Sequence, residues 1–117
     1  MRYMLLIYTR EGEMSAEEHE AVAGAHRVVM NEARQRGIFQ GAEPLMPTST
    51  ATTVRRKEGK VLTIDGPFAE TKEQLGGYYI LDCENLDEAI EWASRIPTAC
   101  RGQEGCVEIR QIRPMTS

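Results

Sequence analysis

Two side chains of this 117-residue chain have the right chemistry for proton transfer, His26 and Asp65. An imidazole has an unperturbed pKa of about 6.5 and can take or give a proton near neutrality. A carboxylate within hydrogen-bond reach of one ring nitrogen fixes the tautomer and stabilises the charged form. His26 and Asp65 are therefore candidates for proton transfer, with Phe68, Glu70, Lys72 and Tyr79 as candidate substrate contacts. Each residue also has a structural reading. His26 sits on an apolar helix face, where a histidine is more often a satisfied interior residue. His19, one side over, reads as peripheral. Asp65 opens a turn, where aspartate commonly bonds the backbone two residues on. Glu70, Lys72 and Glu73 form either a solvated turn or one wall of a cleft. Tyr78 and Tyr79 point to opposite sides of one strand, so only one of them lines an interior. The His, Asp and Glu residues lack metal-ligand spacing, so the expected chemistry is metal-free and needs no cofactor.

The rest of the composition narrows the partners. A net charge of −4 and a pI near 5.2 offer no electrostatic footprint for direct nucleic-acid binding. Arg55-Arg56-Lys57 reads as a solvated hairpin. No segment has the roughly 20 apolar residues of a membrane span, and Met1–Tyr8 is too short for a signal peptide. A cytoplasmic location is expected. The three cysteines, Cys83, Cys100 and Cys106, are odd in number and lack CxxC spacing, which suits free thiols in a reducing compartment.

The elements that must position these residues follow from local signals. Residues 3–8 read as a strand. Ser15-Ala16-Glu17-Glu18 is a capping box opening a helix that runs to about Arg36 and stops at Gly37. Val22, His26, Val29 and Ala33 make its apolar stripe. An extended piece over 38–45 precedes a hairpin, 50–56 and 60–64, with a tight turn at 57–59. After Asp65-Gly66-Pro67-Phe68 comes one helical turn near Glu70–Gln74, then a strand over 77–83. Asn85 caps a second helix with Leu86, Ala89, Ile90 and Ala93 on its face, Trp92 off that stripe, and Pro97 as terminator. Residues 107–113 are the last strand.

This order gives a single α+β domain, a ferredoxin-like protomer with an extra β-hairpin. Two helices cover one sheet face. Yet Met4-Leu5-Leu6-Ile7 and Tyr78-Tyr79-Ile80-Leu81 are apolar at successive positions, the pattern of strands buried on both sides. A homodimer packing sheet on sheet, a dimeric α+β barrel, would supply the missing cover.

The stretch Asp65-Gly66-Pro67-Phe68-Ala69-Glu70-Thr71-Lys72-Glu73-Gln74-Leu75-Gly76-Gly77-Tyr78-Tyr79 resembles the signature of the DGPF-domain proteins, a branch of the YCII-related family. The likeness extends to Tyr3–Tyr8, Gly41–Leu45, Thr50–Val54, Leu86–Ala89 and Arg95–Pro97. It implies the same dimeric α+β barrel. For function it implies less: some relatives are associated with extracytoplasmic-function sigma factors, one removes chloride from a chlorinated hydroxyquinol, and a His–Asp pair is proposed as the active site. His26, eleven residues before Gly37, matches the histidine. The aspartate belongs to an Asp-Pro dipeptide, and here that dipeptide is Ile96-Pro97. Asp65 is the candidate replacement. Two readings follow: a small-molecule binder with proton-transfer or elimination chemistry, or a non-catalytic accessory of a sigma factor or other regulator.

Overall fold

The computed structural model describes residues 1–98 and 105–115. Six strands and two α-helices occur in the order β1 (Arg2–Thr9), α1 (Ala16–Gln35), β2 (Phe39–Pro44), β3 (Thr52–Lys57), β4 (Lys60–Asp65), β5 (Gln74–Asp82), α2 (Leu86–Ala93) and β6 (Gly105–Gln111). Four strands form an antiparallel sheet in the order β2-β5-β1-β6, while β3 and β4 pair only with each other. With β3 and β4 set aside, this is the strand order of a ferredoxin-like fold. No helix among the described residues is long and apolar enough to cross a membrane.

The caps lie where local chemistry puts them. Ser15 accepts from the Glu18 amide at 3.1 Å while the Glu18 carboxylate accepts from the Ser15 amide at 3.1 Å. Such a reciprocal pair satisfies two otherwise unpartnered donors at the start of α1 and is worth about 1 kcal/mol. Gly37 ends the helix at φ 74°, a conformation that penalises any residue with a Cβ. Asn85 caps α2 through the Glu88 amide at 2.9 Å.

Both helices lie on one face of the sheet. Tyr3 and Leu5 of β1, paired with Leu81 and Tyr79 of β5, and Ile7 form one core with Val29 and Ala33 of α1 and Ala89 and Trp92 of α2. The opposite face carries Met4, Leu6, Tyr8, Tyr78 and Ile80, all half-buried, and among the described residues neither helix lies across them.

Two expectations about local structure are corrected. Residues 70–73 are irregular rather than helical, because side chains take the carbonyls a helix would use. Gln74 Nε2 donates to Ala69 O at 3.3 Å and Thr71 O at 3.2 Å, and Thr71 Oγ1 donates to Glu73 O. On α2 the buried residues are Ala89 and Trp92, followed by Ile96 just beyond the helix, whereas Leu86 and Ile90 are exposed. Trp92, off the expected stripe, is thus a core residue. Its helix ends at Ala93 with Ser94 as C-cap, before Pro97.

Candidate functional site

α1 meets the sheet closely only in its second half. Val29 and Ala33 are buried, but no residue from Ala16 to Ala25 is. The first turns of the helix therefore stand away from the sheet. A cleft of about 870 Å³ opens between them. Ile7, Val22, Met30 and Leu75 are among the apolar residues of its wall, and Arg10, Glu11, Glu13 and Arg27, all exposed, are charged groups at its rim. A concave, mostly apolar space with a few polar groups is the usual form of a small-molecule site.

His26 and Tyr79 are the polar pair on that wall. His26 Nδ1 lies 2.7 Å from Tyr79 Oη, and the rings are 5.8 Å apart, tilted by 43°. The hydroxyl is also 3.4 Å from the His26 carbonyl. In one arrangement the phenolic O–H donates to Nδ1, which leaves Nε2 carrying the ring proton as a donor. A second arrangement needs no heavy-atom movement. The hydroxyl turns to the carbonyl, Nδ1–H donates to Oη, and Nε2 becomes a base. Tyr79 can therefore set which role His26 plays. Burial holds both groups neutral at pH 7: it lowers the His26 pKa from 6.5 and pushes the Tyr79 phenol up to about 12.

The backbone around the cleft explains the paired glycines. A Cβ on Gly77 would sit 2.8 Å from the Glu43 carbonyl, so β2 can approach β5 there only beside glycine. Gly76 is less restricted, with Thr9 Oγ1 at 3.3 Å. Gly66 serves the chain direction instead. It leads the backbone out of β4 at φ 98°, and its amide bonds Ala51 O at 2.7 Å.

Of the expected site residues, the structure brings His26 and Tyr79 together. Tyr79 is the histidine's hydrogen-bond partner, a role concealed in the sequence by the 53 positions between them. Asp65, Phe68, Glu70 and Lys72 do not line this cleft. Asp65 ends the separate two-stranded arm, and Phe68 is 77 % exposed in the loop beyond. His19 does line the cleft, at its exposed edge. Ile96, which stands where the resemblance places an aspartate, is 5 % exposed in the core. Cys83 is buried, with its thiol pushed up to about 11 by burial first and then by Glu88 and Asp82. Cys106 is exposed, and Cys100, with any pairing between the two, lies outside the described residues. Among the described residues no three His, Cys, Asp or Glu side chains gather as a metal site would require.

The model of the YCII-related domain matches residues 1–116. An uncharacterized protein of Rhizobium meliloti (strain 1021) is 38 % identical over 115 residues, which cover 96 % of this chain and 92 % of the relative.

Proposed function

The chain belongs to the YCII-related family, and from that premise we propose that it binds a small, largely apolar molecule in the cleft between α1 and the sheet, with His26 and Tyr79 as a proton-transfer pair. One observation carries the reading: an imidazole–phenol hydrogen bond of 2.7 Å on the wall of an 870 Å³ cleft. A neutral imidazole that changes between donor and base through one hydroxyl rotation suits abstraction of a substrate proton or its return to a leaving group. The interior partner is uncharged, which favours a neutral ligand with an acceptor near Nε2 over an anion.

The proposed assembly is a homodimer through the open sheet face. Its support is the half-buried row of Met4, Leu6, Tyr78 and Ile80, apolar side chains that neither helix covers among the described residues.

The test is a screen of small neutral carbonyl and phenolic compounds by thermal shift, with His26→Gln in parallel. Hits should raise the melting temperature of the native protein, shift amide resonances of residues 19–30 and 75–79, and lose most of the effect in His26→Gln. Hits that bind the two proteins equally would remove His26 from the site. A screen with no hits would shift weight to the non-catalytic regulator reading.

A further inference from the structure

The two-stranded arm is the part of the fold that the proposed cleft does not explain. Among the described residues β3 and β4 form a sheet of their own, paired with no strand of the main sheet. The chain measures 47 × 46 × 18 Å with a radius of gyration of 16.1 Å, against about 13 Å for a compact domain of this length. Isolated two-stranded hairpins are marginal in water. This one is also apolar on both sides. Register places Val54 and Val61 on one face and Leu62 and Ile64 on the other. Val54 is 63 % exposed and Ile64 50 %, and Phe68 follows just beyond. A ribbon exposed in this way is built to lie against another surface.

Charge identifies that surface. Residues 52–64 hold four cations and one acid, +3, so with a total of −4 the remaining chain carries −7. Much of that negative charge sits near the cleft: Glu11, Glu13, Glu17, Glu18 and Glu20 fall within ten residues at the start of α1. A second copy of the same chain thus offers the arm an acidic counterpart. The arm leaves the body at the cleft's rim, since Leu45, Met46 and Pro47 before it and Gln74 after it all line the cleft.

We infer that the β3–β4 arm of each copy docks on a second copy of this chain, along the acidic start of α1, and closes the mouth of that copy's His26 cleft. The loop after the arm, with Asp65, Phe68, Glu70 and Lys72, is then delivered to the cleft in trans. This rests on the cleft being the ligand site, but the association it requires is measurable without a ligand.

Sedimentation equilibrium and concentration-dependent amide hydrogen exchange test it on the native protein, on Arg55→Glu/Arg56→Glu, on Glu17→Arg/Glu20→Arg and on Leu62→Ser. All substituted positions are exposed, so circular dichroism should be unchanged. Native protein at tens of micromolar should protect residues 52–64 and 11–20 together. Each charge reversal should weaken association about tenfold or more, and an equimolar mixture of the two reversed variants should recover much of it. Leu62→Ser should weaken it through the apolar contact alone. A dimer that persists unchanged in all three variants, with the arm exchanging freely, would overturn the inference and leave the sheet-face dimer standing. A native protein that stays monomeric would overturn both. Binding of a screen hit with unchanged affinity to Arg55→Glu/Arg56→Glu monomers would refute closure of the cleft by the arm while the cleft itself stands.

Discussion

Tyr79→Phe isolates what the phenol does for His26. The ring is 3 % exposed and packed in the core, and phenylalanine keeps its shape, so no cavity term arises. What disappears is one neutral hydrogen bond of 2.7 Å and a weaker contact of 3.4 Å to the carbonyl. A neutral intramolecular hydrogen bond contributes about 0.5–1.5 kcal/mol net. The orphaned Nδ1 borders the cleft and can recruit water, which keeps the cost near about 1 kcal/mol and the drop in melting temperature near about 4 °C. The more specific consequence is at the imidazole. With Tyr79 as donor to the neutral ring, losing it should move the His26 pKa upward toward 6.5, although burial still holds it below that value. Long-range ¹⁵N–¹H correlation spectra of the imidazole report both properties. With Tyr79 as donor the native protein should favour the Nε2–H tautomer, and Tyr79→Phe should change the tautomer ratio and titrate at higher pH. If the substitution leaves both the tautomer ratio and the titration of His26 unmoved, the pairing read from the 2.7 Å contact is wrong.

Other substitutions separate the two sides of the sheet and the turns. Leu6→Glu should leave a folded monomer, whereas Leu81→Glu, at a position with 0 % exposure under the helices, should unfold the chain; sedimentation with circular dichroism distinguishes them. Gly66→Val should cost about 1–3 kcal/mol in urea denaturation, from backbone strain alone, since nothing lies within 4 Å of its Cβ position. Native stability should fall with acid because His26 is held neutral. Below about 6.5 the unfolded chain binds a proton that the native state resists, so stability rises with pH from the lowered native pKa to 6.5, and His26→Gln should flatten that limb in pH-dependent urea melts. With an aromatic disulfide reagent at pH 8, exposed Cys106 should react while buried Cys83, raised to about 11, should stay silent until the protein unfolds.

The features that local chemistry determines are legible in the residues themselves. Ser15 with Glu18, Gly37, Asn85 and Gly66 each settle a backbone problem within four residues, and each appears in the expected role. The uncovered sheet face is also legible, because β1 and β5 are apolar at odd and even positions alike. α2 is harder. Leu86 and Ile90 form an apolar pair one turn apart, as do Ala89 with Ala93, and periodicity alone cannot rank two overlapping stripes. Burying Trp92 removes more apolar surface than burying Leu86, and the fold turns the helix accordingly. At 70–73, propensity suggests a helical turn, but the Gln74 amide and the Thr71 hydroxyl claim the carbonyls first.

The partner of His26 lies beyond sequence reasoning for a different reason. A charged orienting group is the familiar device for a histidine, and Asp65 is the remaining carboxylate in a conspicuous turn. Partnership, however, is decided by register. β5 runs antiparallel to β1, Tyr79 lies opposite Leu5 on the helix-facing side, and the third turn of α1 passes above it. That stacking puts a phenol under the imidazole whatever stands at Asp65. It also makes sense of Ile96. With Trp92 and Ala89 packed around it in the core, a carboxylate there would be buried, and an ionised group in such a place costs several kcal/mol unless it is paired. Isoleucine keeps that core position free of a buried charge, and the partner that His26 has is the Tyr79 phenol. The phenol orients the ring without a charge, and it leaves both tautomers within reach.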